Sequence, residues 1–165
     1  MPDRSAPSLA LYVRFPPSWD HIDPLRQYAE ISVKARAGNG AADKVGIVIQ
    51  ELLENAVKYG VPASDLELEI HMSDKGVGLD IFVRNNAHPS RLLLLEREFQ
   101  RIRAEPGAEA FNRAMQRMTR LPQGSTMLGL SRVAMESQLQ VDIQGDRVEI
   151  SAHVEIGSRA TSRQR

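Results

Sequence analysis

The sequence predicts a two-layer α/β sandwich: a mixed, mostly antiparallel sheet covered by helices on one face. Three observations predict it. Five short segments alternate apolar and polar residues, the period of strands with one buried face. Several longer segments place apolar residues at helical spacing. Two pairs of the strand segments are joined by turns of a few residues, which make antiparallel hairpins. A doubly wound parallel sheet would need near-continuous apolar strands and helical crossovers, so the hairpins argue against it.

In chain order, Leu9, Leu11, Val13 and Phe15 alternate with Ala10, Tyr12 and Arg14, giving a strand over 9–15 that Pro16 and Pro17 end. Ile22, Leu25, Tyr28, Ala29, Ser32 and Val33 recur at helical spacing, with Pro24 tolerable in the first turn. Gly38-Asn39-Gly40 breaks that helix, and a second runs from about Ala41 to Tyr59 on the apolar stripe Val45, Val48, Ile49, Leu52, Ala56 and Tyr59, stopped by Gly60 and Pro62. Strands follow at 65–72 and 77–84, joined by a turn at Ser73 to Gly76. From Ser90 to Arg120 two amphipathic helices fit on either side of Pro106-Gly107. A further helix is expected through Leu130 and Val133, and strands at 139–144 and 147–155 close the chain around Gly145-Asp146. Residues 1–156 read as one domain. The tail, 157–165, has no apolar residue larger than alanine and is expected to be disordered.

Composition removes several function classes. The chain has 165 residues, with 21 Lys plus Arg balancing 21 Asp plus Glu. No bulk positive field attracts a phosphate backbone, and strand aromatics suited to stacking bases are missing, so nucleic acid is not an expected partner. The absence of cysteine removes disulfides, zinc ribbons and thiol nucleophiles. Neither a signal peptide nor a membrane-spanning run is evident, which gives a cytoplasmic expectation without membrane association. The four histidines, His21, His71, His88 and His153, fall in separate elements with no ligand spacing.

Chemistry becomes arguable on the helix that ends at Gly60. Glu51, Asn55 and Lys58 lie four and three residues apart and share a face beside the apolar stripe. A carboxylate can deprotonate a hydroxyl, an amide oxygen can ligate Mg²⁺ and a lysine can neutralise a phosphate. The alternative is an ordinary solvated face, with Glu54 and Lys58 as an i,i+4 ion pair.

The order of the surrounding segments bears on that choice. The string from Glu51 to Tyr59, ELLENAVKY, resembles the N-box helix of the GHKL (Bergerat-fold) ATPases, in the Glu-x-x-x-Asn-Ala form of the anti-sigma-factor serine kinases. A hairpin follows. Its second strand leads into Val83-Arg84-Asn85-Asn86-Ala87, where the family's adenine box reads V-x-D-x-G. Gly124 to Val133, GSTMLGLSRV, resembles the family's second glycine box. The resemblance covers residues 8 to 156.

Carried over residue by residue, the resemblance implies Glu51 as general base, Asn55 as Mg²⁺ ligand and Lys58 as a phosphate neighbour. Asn85 would face adenine, and Gly124, Ser125, Thr126 and Gly129 would bring backbone N–H groups to the phosphates of ATP. Four positions depart from the family. Asn85 replaces the adenine-binding Asp, Ala87 and Pro89 replace the box's glycines, and Met127 replaces the middle glycine of the phosphate loop. If the pocket still reads adenine, Asn85→Asp is expected to strengthen ATP binding by roughly 1 kcal/mol. The helices over 90–120, with seven Arg against four Glu, stand where the family has its lid.

Two functions follow from the resemblance. One is a Mg-ATP-dependent serine kinase acting on a regulatory partner protein of the sigma-factor or anti-sigma-antagonist type, by phosphorylation or partner switching. The other is a degenerate, nucleotide-free member that binds a partner protein. The resemblance is compatible with a homodimer in either case.

Overall fold

Apolar alternation becomes strand in each of the five places where the sequence predicts it. In the computed structural model, residues 8–72, 78–105, 109, 112–113, 116 and 128–157 are described. The elements run β1 (Ser8–Phe15), a 3-10 turn (Trp19–His21), α1 (Ile22–Ala37), α2 (Asn39–Tyr59), β2 (Leu66–Met72), β3 (Gly78–Asn86), α3 (Pro89–Ala104), α4 (Leu128–Glu136), β4 (Gln138–Gln144) and β5 (Arg147–Glu155). The predicted turn at Ser73 to Gly76 and the tail from 158 lie outside the described residues. So does most of the second helix predicted before Arg120.

The five strands form one sheet in the order β1-β2-β3-β5-β4. The sequence reading expects a mixed, mostly antiparallel sheet, and the four pairings are antiparallel throughout. The reason is topological. β1, β3 and β4 run in one direction, and each neighbouring pair of them is separated by β2 or β5 running in the other. A correction concerns β3, which continues past the predicted end at 84. Asn85 and Asn86 pair with Val148 and Arg147 of β5, and that partner strand overrides the weak strand preference of asparagine.

Among the described residues, one face of the sheet is packed. Leu66, Leu68, Ile70 and Met72 of β2 turn to the same side as Leu79, Ile81 and Val83 of β3 and Val148, Ile150, Ala152 and Val154 of β5. Onto that layer α2 lays Val45, Val48, Ile49, Leu52, Leu53 and Ala56, nearly all without solvent exposure. Each such side chain contributes on the order of 1.5–3 kcal/mol of hydrophobic stabilisation. α1 ends at Gly38, whose φ of 87° is a conformation that glycine adopts without strain. Its N–H closes on Lys34 O at 3.1 Å, and α2 begins at once, two residues earlier than predicted.

The other face carries a charged ladder. Arg84 on β3 bonds Glu69 on β2 and Glu149 on β5 and stands 3.9 Å from Glu67, which Arg147 reaches at 3.3 Å. The hydrogen bond from Arg84 is the main reason the Glu69 carboxyl stays below its ordinary range, against a smaller opposing effect of burial. Charged and aromatic side chains make this face stable against water without a covering layer.

Candidate functional site

The helical period of α2 separates its two duties. Leu52, Leu53 and Ala56 point into the core, while Glu51 and Asn55 are partly buried and one turn apart. α4 packs on this part of α2. Contact is close because residue 129 has no side chain. A Cβ there would collide with Glu51 Oε2 and stand 3.5 Å from Asn55 Nδ2.

Glu51 is buried on all but 19% of its side chain and accepts a hydrogen bond from Arg132 Nη1 at 3.2 Å. Burial pushes its proton affinity above the ordinary carboxylate range, and the charge of Glu54 adds to the effect. Arg132 opposes both. Asn55 Nδ2 is buried and has no hydrogen-bond partner among the described residues. A buried donor in that condition is an invitation to an acceptor from outside the fold.

A second group of predicted residues meets at the end of α2. Asn85 on β3 directs its amide nitrogen at the carbonyls of Ala56 and Asn86, both 3.4 Å away. Gly60 makes room for it, since a Cβ there would collide with Ala56 O and come within 3.0 Å of Asn85 Nδ2. With the nitrogen turned to two carbonyls, the amide oxygen of Asn85 is the end left for a ligand. Asn55 and Asn85 line one pocket together with Tyr59, Ala87, Arg91, Leu95 and the β5 residues Val148 and Ile150. α3 forms a wall of this pocket through Arg91 and Leu95.

Lys58 is exposed, with Nζ 5.1 Å from the centroid of the Tyr59 ring, and Arg91 lies at the same distance from that ring. The Glu54–Lys58 ion pair of the solvated-face alternative does not form. Glu54 instead accepts from Gln50 Nε2 at 2.9 Å. Glu51, Asn55 and Gly129 are therefore brought together, Asn85 lines the same pocket as Asn55, and Lys58 lies outside that lining, exposed beside Tyr59. Gly124, Ser125 and Thr126 lie outside the described residues.

Sequence reasoning missed Arg132, Arg91 and Tyr59. Arg132 carries a signal that could have found it, because it follows Gly129 by three residues and must lie on the same helix face. Tyr59 and Arg91 depend on how α3 meets α2, which periodicity does not encode.

No family model and no curated protein sequence matches the chain. Among solved structures, a chain of the SiaB-SiaC complex from Pseudomonas aeruginosa is similar, with a TM-score of 0.67 at 22% identity over 88% of this chain and 89% of that one. A likeness at that identity is one of fold. The α/β architecture with an open antiparallel sheet is thus shared by a protein crystallised in a two-protein complex. No helix among the described residues is long and apolar enough to cross a membrane.

Proposed function

We propose that this chain is a regulator of GHKL type that holds Mg-ATP between α2 and α4 and acts on a partner protein, by phosphorylating it or by exchanging one partner for another. The observation that carries the reading is the convergence of Glu51 and the orphaned Asn55 amide on the side-chain-free surface of Gly129. Two elements from distant parts of the chain meet there in close contact, through a carboxylate, an amide and helix backbone. In this reading Asn85 Oδ1 accepts from the adenine amino group, and Lys58 and Arg91 lie on the phosphate-attracting side. Mg²⁺, when bound, would supply neutralisation of the phosphate charge, with the amide oxygen Oδ1 of Asn55 as its protein ligand, while the buried Nδ2 would donate to a ligand oxygen. Glu51 accepts the proton of a partner hydroxyl, a task suited to a carboxylate whose burial raises its basicity. The partner protein is suggested by the similarity to a chain solved in complex with another.

A second reading, a nucleotide-free partner-binding protein, is favoured by the size of the pocket. The cavity between Asn55 and Asn85 measures about 20 Å³, room for a single water, and buried Ala87 forms part of its wall. Adenine enters only if Arg91 or Tyr59 moves. Calorimetric titration with Mg-ATP separates the two readings. Binding that is lost in Asn55→Ala supports the first, and no heat at millimolar nucleotide leaves the second.

A further inference from the structure

We propose that Arg132 is a positioning residue for Glu51, fixing the carboxylate through Oε1 while Gly129 packs against Oε2. This deepens the kinase reading, in which Glu51 is the base, and rests on it for its functional meaning.

The geometry is specific. Gly129 and Arg132 lie three residues apart, so one face of α4 presents first a gap and then a cation to the same side chain. Oε2 of Glu51 packs against the glycine and Oε1 accepts from the guanidinium, so both oxygens are set by α4 across 81 residues of sequence. Among the described residues Glu51 is the ion-pair partner of Arg132, which is half exposed and contributes little to the core. Among the described residues, of the elements packed on α2, namely α1, α4, β3 and β5, α4 is the one that brings a charge acting on Glu51. The other charge acting on it is Glu54, from its own helix. Among the described residues Arg132 is thus the group that opposes both burial and Glu54. Arginine stays protonated at all accessible pH, so titration of this pair belongs to Glu51.

Without that restraint, a half-buried carboxylate beside Glu54 takes up a proton earlier and loses its orientation together with its charge. A base must be deprotonated and aimed at the hydroxyl it serves. Arg132 secures both conditions from a residue that need not touch substrate.

The test is carbon-detected NMR titration of the Glu51 carboxyl in the full-length chain, assigned with Glu51→Gln, for wild type, Arg132→Lys and Arg132→Gln. The midpoint moves to higher pH in Arg132→Gln and returns toward wild type in Arg132→Lys, which restores charge without the fork. An unchanged midpoint in Arg132→Gln overturns the proposal, as does an equal rise in Arg132→Lys. The titration is read in the nucleotide-free protein. Failure of the kinase reading, seen as no Mg-ATP binding by calorimetry, is therefore distinguishable from failure of the Arg132 assignment.

Discussion

The amide nitrogen of Asn85 donates to the carbonyl of Ala56 at 3.4 Å, a carbonyl that also accepts from Gly60 N–H at 3.0 Å. Asn85 therefore helps to close the C-terminal end of α2. This changes the expectation for Asn85→Asp. A carboxylate there sets an oxygen against Ala56 O and Asn86 O at the negative end of a helix, so a cost of about 1–2 kcal/mol stands against any gain in adenine binding. The new carboxyl takes a proton more readily in the folded protein than in the unfolded one. The variant's stability relative to wild type is thus best in acid and falls as pH rises through the folded-state midpoint. Denaturant unfolding at several pH values measures it.

Asn55→Ala removes a buried donor that has no partner among the described residues. Its expected effect on stability is small, within about 1 kcal/mol, because the loss of packing is offset by relief of an unsatisfied group. Mg-dependent nucleotide binding is expected to disappear. Parallel urea unfolding and calorimetry check both halves, and an unchanged affinity removes Asn55 from the site.

Glu51→Gln is expected to stabilise the protein near neutral pH by at most about 1 kcal/mol. Burial, then the charge of Glu54, raise the proton affinity of Glu51 in the folded state, and Arg132 only partly compensates. A carboxyl shifted upward contributes stability in acid that is lost as pH rises through its folded-state midpoint. The advantage of the glutamine variant therefore grows with pH and vanishes in acid, where the wild-type carboxyl is itself protonated.

Arg84→Met breaks the ladder on the open sheet face and leaves Glu67, Glu69 and Glu149 without their shared cation. A loss of roughly 1–3 kcal/mol near neutral pH is expected, discounted from a fully buried pair because these side chains keep partial contact with water. Glu69, held low chiefly by the hydrogen bond from Arg84, stabilises the fold above the unfolded carboxylate range and ceases to do so as pH falls through its folded-state midpoint. Wild type and variant should converge in acid, which thermal unfolding across pH reads directly.

Much of this was legible in the sequence because burial on one face writes a period. The stripe from Val45 to Ala56 identified α2 and its inward side, and with it the placement of Glu51 and Asn55 beside the core. The strands were found the same way, since Leu66, Leu68 and Ile70 face the core and Glu67 and Glu69 face away. Local rules failed where a choice of partner depended on distant chain. Glu54 took Gln50 in place of Lys58, although both lie one turn away. Asn85 reads as a weakened adenine acceptor until Gly60 and Ala56 are placed beside it. Arg132 acquires meaning only when α4 lies across α2.

Helix α2 places its two kinds of residue in alternation, so the carboxylate and amide of the site ride on the same rigid rod as Leu52, Leu53 and Ala56. Such a rod cannot tilt without opening the interior of the whole molecule. In the proposed reading, a ligand that meets both α2 and the short α4 with Gly129 and Arg132 is braced against a helix buried in the core, and its affinity would be expressed as added resistance of the chain to unfolding.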